Sequence, residues 1–108
     1  MGKILSRRMA TLAKGHYAFY CPGCKQTHMI VSGETNPGIK SPKWDWDGNT
    51  ENPTFHPSIL VTRGNGDKCH SFIKNGVWEF LSDCTHELAG QKVPMVDLPD
   101  YMLEGYKK

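Results

Sequence analysis

The chain has 108 residues, enough for one domain, and its 38% hydrophobic content leaves a thin apolar core for that length. A net charge of +2 with 22% charged residues falls short of the strongly basic footprint of a dedicated nucleic-acid binder. No apolar run approaches the roughly 20 residues of a membrane span, and the charged opening lacks a secretory signal, which points to the cytoplasm.

Met1, Leu5, Met9 and Leu12 recur at helical spacing, which predicts an N-terminal amphipathic helix over residues 3–13, stopped by Gly15. Lys3, Arg7 and Lys14 fall on its opposite face, with Arg8 at the border. Residues 1–33 contain no acid, so these four are candidate contacts for weak, sequence-independent nucleic-acid binding by a basic arm over residues 1–15.

Residues 16–20 alternate and lead into Cys21-Pro-Gly-Cys24, a knuckle whose return strand is residues 28–31. Residues 33–57 are crowded with Gly, Pro and Asn and form a long irregular loop, with a brief strand at Trp44 and Trp46. Strands follow at residues 58–63, 69–74 and 77–82. The last two are joined by Asn75-Gly76, a hairpin signal because a type I′ turn needs positive φ at both central residues. A helical turn is expected from Asp83, stopped by Gly90, then a loosely held tail from Pro94 that ends in residues 101–108. The fold class is therefore mainly β, a zinc-ribbon-like antiparallel sheet over residues 16–100 with an N-terminal helix.

Four cysteines including a close pair, in a reducing compartment, read as ligands of one structural Zn2+ rather than as disulfides. The two-residue turn sets Ile73 opposite Trp78 and puts Cys69 on the face that Cys84 joins if the second strand runs on. The hairpin then delivers Cys69 and Cys84, and the knuckle delivers Cys21 and Cys24. His28, His70 and His86 each lie near a cysteine and can replace one.

The same parity puts His70 and Asp83 together on the opposite face, the minimal unit of general-base chemistry, but no nucleophile is evident beside them. His86-Glu87 begins like a metalloprotease helix, yet Gly90 stands where the second histidine is required. The residues favour a non-enzymatic, zinc-stabilised binding module with no catalytic residue assigned. The alternative is a small zinc-dependent hydrolase using His70, Asp83 and His86.

Cys21-Pro-Gly-Cys24 with His28, Trp44-x-Trp46, Pro53-Thr-Phe-x-Pro-Ser-Ile-Leu-Val61, Cys69-His-Ser-Phe-Ile73, Gly76-x-Trp78 and Asp83-Cys-Thr-His86 together carry a family resemblance. The chain resembles a family of small tailed-phage and prophage proteins, some labelled ammonia monooxygenase. The resemblance implies a phage-encoded accessory protein in the bacterial cytoplasm, binding a host or phage macromolecule and no membrane.

Overall fold

Alternating burial organises the chain into two facing sheets in the computed structural model, which describes residues 3–62 and 64–103. The first sheet is a meander of β1 (Lys3–Ile4), β2 (Ala10–Ala13), β3 (His16–Cys21) and β4 (Gln26–Val31). The second is a meander of β5 (Asp45–Trp46), β6 (Phe55–Thr62), β7 (Lys68–Lys74), β8 (Val77–Phe80) and β9 (Lys92–Pro94). A single turn of helix, α1 (Asp100–Leu103), closes the described residues. No helix among them is long and apolar enough to cross a membrane.

On β7 the period-two pattern buries Cys69, Ser71 and Ile73 and turns Lys68, His70 and Phe72 outward; on β8 it buries Trp78 and Phe80. These inner residues meet Phe19 of β3, whose ring lies 5.5 Å from both Phe55 and Trp78. Trp46 packs on Tyr17 at 4.8 Å. Each such buried ring contributes about 1.5–3 kcal/mol, so a few aromatics supply much of a core that composition alone makes look thin.

The Asn75-Gly76 hairpin has the expected register, Lys74 opposite Val77 and Ile73 opposite Trp78, with φ of 49° and 75° at the two turn residues. The β6–β7 ladder is less regular. Phe55 pairs with Ile73 and Ile59 with Ser71, so β6 carries two extra residues in a bulge that contains Ser58.

Three expectations are corrected. There is no N-terminal helix: residues 3–13 form β1, a tight turn and β2, and the one helix among the described residues lies at 100–103. Ser6 explains the change. Its hydroxyl accepts the N–H groups of Arg8 and Met9 and donates to Thr50 O at 2.6 Å, an alternative to helical bonding that serine offers readily. Second, there are two sheets and not one ribbon-like sheet, and the N-terminal strands belong to the first. Third, the start of the tail is anchored: Met95 and Leu98 are buried, and Leu98 N–H donates to Arg7 O at 2.7 Å. Residues 104–108 of the expected tail, Met1 of the expected helix pattern and Arg63 of the expected strand lie outside the described residues.

Candidate active site

The outer face of the second sheet carries a hydrogen-bonded chain of three side chains. Ser58 Oγ lies 3.1 Å from His70 Nε2, and His70 Nδ1 lies 3.1 Å from Asp83 Oδ2. One proton arrangement satisfies both contacts: Nδ1–H donates to the carboxylate, leaving the Nε2 lone pair to accept the Ser58 hydroxyl. The hydrogen bond from His70 holds the Asp83 carboxyl below its usual pKa, with Lys68 Nζ at 3.9 Å adding a smaller pull, so Asp83 remains ionised.

Local structure brings the three together. Leu60 is directly opposite His70, which makes Ser58 the diagonal neighbour of His70 on the same face, within reach of an imidazole. β8 ends at Phe80, and the Leu81 N–H still bonds His70 O at 2.9 Å. The chain then turns and returns Asp83 to the His70 ring. Cys84 fastens this return, accepting the His70 N–H at 3.2 Å and donating its thiol to His70 O at 3.1 Å. The His70 side chain is about one-quarter exposed and that of Asp83 nearly half, so solvent reaches the group.

Directly behind, on the inner face, is a cluster of metal-binding side chains. Cys21, Cys24, His28 and Cys69 bring one donor atom each to within 4.8 Å of one another. Cys21 and Cys24 flank the knuckle between β3 and β4, in which Lys25 N–H bonds Cys21 O at 2.8 Å and Lys25 takes a left-handed φ of 57°. His28 follows on β4, and Cys69 reaches across from β7. Cys21 Sγ and Cys69 Sγ are 3.8 Å apart. Zinc–sulfur bonds of about 2.3 Å put two sulfurs of a tetrahedral site about 3.8 Å apart, so the pair is spaced for one ion. His28 Nε2 is buried with no hydrogen-bond partner, the state of a ligand atom awaiting an acceptor of its lone pair. The Cys69 thiol hydrogen bond, then His28 and the Cys24 amide, hold Cys21 down at a pKa of about 4, the thiolate form that a metal takes; Cys69 is correspondingly pushed up.

Cys84 belongs to a second group, with Cys69 and His86. The strand that was expected to carry it beside Cys69 stops four residues short, and its thiol is engaged with the His70 backbone. His86 packs its ring on the knuckle instead of joining His70: a Cβ at Gly23 would lie 2.3 Å from the imidazole, and Phe80 supports the ring from 4.6 Å.

With strands in place of the expected helix, the four basic residues share no helical face. Arg7 pairs with Asp97 at 3.0 Å and Lys14 with Glu34 at 3.1 Å, while Arg8 donates to Glu51 O and Asn52 Oδ1. Lys3 sits on the edge strand β1. The residue that sequence reasoning missed is Ser58. No local signal placed it: the connection between β6 and β7 does not fix a register as Asn75-Gly76 does, and the ladder is interrupted between Phe55 and Ile59.

A family model described as "Bacterial ubiquitination-like system serine protease (BubE)" matches residues 2–81, a span that includes Ser58 and His70 and ends two residues before Asp83. No curated protein and no solved structure matches the chain. The match overturns the resemblance to an uncharacterised phage family, and with it the expected host or phage partner and the expected weak nucleic-acid partner. The serine-protease family likewise overturns the expectation of a non-enzymatic binding module. The alternative reading, a hydrolase, is the closer one, although both nitrogens of its His70 are already engaged by Asp83 and Ser58 and neither is left for a metal. With about three-quarters of its length matched, the chain belongs to the bacterial ubiquitination-like system serine protease family.

Proposed function

We propose that this protein hydrolyses an acyl linkage in a protein of a bacterial ubiquitination-like system, with Ser58 as nucleophile, His70 as general base and acid, and Asp83 as the carboxylate that orients His70. The continuous contact Ser58 Oγ to His70 Nε2 to Asp83 Oδ2 carries this reading. In the first step Ser58 Oγ bonds to the substrate carbonyl carbon as its proton passes to His70 Nε2. The imidazolium then returns that proton to the departing group, leaving an acyl-Ser58 ester. Water, deprotonated by the same nitrogen, cleaves the ester and restores Ser58. Asp83 keeps the Nδ1 proton in place and balances the imidazolium charge. The chain order Ser–His–Asp is compatible with this, because a triad is defined by geometry and role and recurs in unrelated orders.

We further propose that the inner cluster binds one Zn2+ through Cys21, Cys24, His28 and Cys69. Three thiolates and an imidazole form a closed structural set with no open position. When bound, the ion supplies a cross-link between the sheets, joining the β3–β4 hairpin to β7 one residue from His70.

A fluorophosphonate, whose phosphorus an activated serine oxygen attacks with loss of fluoride to give a phosphonyl-serine, tests the function. It is expected to modify Ser58 in the wild-type protein, with loss of labelling in Ser58→Ala and His70→Ala. Absence of labelling in a folded wild-type protein rejects the triad.

A further inference from the structure

In an antiparallel ladder the N–H and C=O of one residue point to the same side, and successive residues alternate sides. His70 directs both toward β8, where its C=O meets Leu81 N–H and its N–H meets Cys84. Lys68 does the same, its C=O accepting from Thr85 N–H and its N–H donating to Thr85 Oγ1. Their partners on β6, Leu60 and Thr62, are non-hydrogen-bonded pairs. They therefore turn their own N–H and C=O away from β7. Ser58 C=O points the same way and is met there by Trp44 Nε1 at 3.1 Å.

β5 covers this edge only opposite Phe55 and His56. Beyond the nucleophile, two N–H and two C=O groups of β6 have no backbone partner among the described residues. Nothing on the strand blocks the edge either. Leu60 and Thr62 carry no charge, and the one proline of β6, Pro57, lies before Ser58. Leu60 is 52% exposed on the face that holds Ser58 and His70.

We propose that the outer edge of β6 is the substrate cleft: an extended peptide adds there as a further strand, bonded to Leu60 and Thr62, with its scissile carbonyl at Ser58. This rests on the triad reading and names the class of substrate, a segment that is unfolded where it is cut. From Ser58 to Thr62 the edge measures about 13 Å at roughly 3.3 Å per residue, room for four or five substrate residues on one side of the bond. Backbone pairing makes recognition tolerant of sequence, and the Leu60 side chain favours an apolar residue at the position above it.

The test uses the wild-type protein with two probes, a fluorophosphonate and a library of short unstructured peptides. Peptides that are cleaved are resynthesised with single N-methyl amides. Methylation of alternate amides on one side of the cleaved bond is expected to lower kcat/KM about ten-fold each, with the intervening amides tolerant. Leu60→Pro removes one edge N–H that the β7 ladder does not use, and is expected to lower peptide turnover by a similar factor. Uniform tolerance of methylation overturns the proposal, as does undiminished turnover in Leu60→Pro. If that variant does not fold, the methylation series decides alone. A protein that takes the fluorophosphonate at Ser58 yet cleaves no peptide overturns the edge but not the triad; one that takes no fluorophosphonate overturns the triad itself.

Discussion

The Cys84 thiol bridges both backbone groups of His70, accepting its N–H at 3.2 Å and donating to its C=O at 3.1 Å. Two adjacent pairs are thereby locked together: Cys69 and His70 on β7, and Asp83 and Cys84 after β8. In each pair one residue faces inward and its neighbour belongs to the triad. Cys84→Ala leaves the half-buried His70 N–H without its partner, at a cost of about 1 kcal/mol. Chemical denaturation should show that loss, and fluorophosphonate labelling should slow as Asp83 loses its anchor. Cys84→Ser, which can make both bonds, should recover part of each. A Cys84→Ala protein with unchanged stability and labelling would refute the anchoring role.

Asp83→Asn tests the orientation of the base. An amide cannot be relied on to accept the Nδ1 proton, so His70 can present N–H instead of a lone pair to Ser58. In serine-protease triads this exchange lowers kcat by about ten-thousand-fold with the geometry intact. A comparable fall, with an unchanged melting temperature, is expected here. A decrease of only a few-fold would mean that Asp83 is a surface partner of His70 and no more.

Much of this was legible before the structure, and the failures have identifiable causes. Asn75-Gly76 specifies its turn locally, so the β7–β8 register followed from sequence; Asp83 lies beyond the end of β8 and reaches His70 through a turn, not through the strand parity that was used to pair them. The β6–β7 connection has no comparable signal, and a two-residue bulge interrupts its ladder, so Ser58 could not be placed by counting. The N-terminal error arose because Leu5, Met9 and Leu12 happen to satisfy a helical period. The Ser6 hydroxyl takes the Arg8 and Met9 N–H groups locally and is fixed by its bond to Thr50 O, a long-range contact that periodicity does not report. His28 was visible as a neighbour of the knuckle, but that it lies with Cys21, Cys24 and Cys69 while Cys84 lies with Cys69 and His86 depends on how the two sheets face each other.

Zinc content separates the two ligand sets. The purified protein should hold one zinc per chain by elemental analysis, and a chelator should lower its melting temperature under reducing conditions, because binding energy of a structural site is largely folding energy. His28→Ala and Cys69→Ser should lose the metal, whereas Cys84→Ala should keep it. Zinc lost from Cys84→Ala and retained in His28→Ala would reverse the assignment. Labelling should decline with unfolding and recover when zinc is restored, since Cys69 holds the strand that presents His70.

The turn at Gly76 offers the sharpest stability test. Its φ of 75° lies in the left-handed region, and a Cβ there would stand 2.8 Å from Asn52 Oδ1 and 2.9 Å from Asn52 Cα. The second contact is with backbone, pinned by the Gly76 N–H to Pro53 O bond of 2.9 Å, so it cannot be relieved by a rotamer change. Gly66 is a matched control: its φ is 95°, and nothing lies within 4 Å of an added Cβ. Gly66→Ala should therefore cost about 1 kcal/mol from backbone strain alone, whereas Gly76→Ala should cost about 2–4 kcal/mol from strain and overlap together. Equilibrium denaturation of the two variants measures both. The Gly76 variant should also lose labelling at temperatures where the Gly66 variant retains it, because this turn sets the register that brings Asp83 to His70. Equal costs for the two substitutions would show that Asn52 yields, and that the hairpin is held in register by the β8–β9 pairing instead of by its turn.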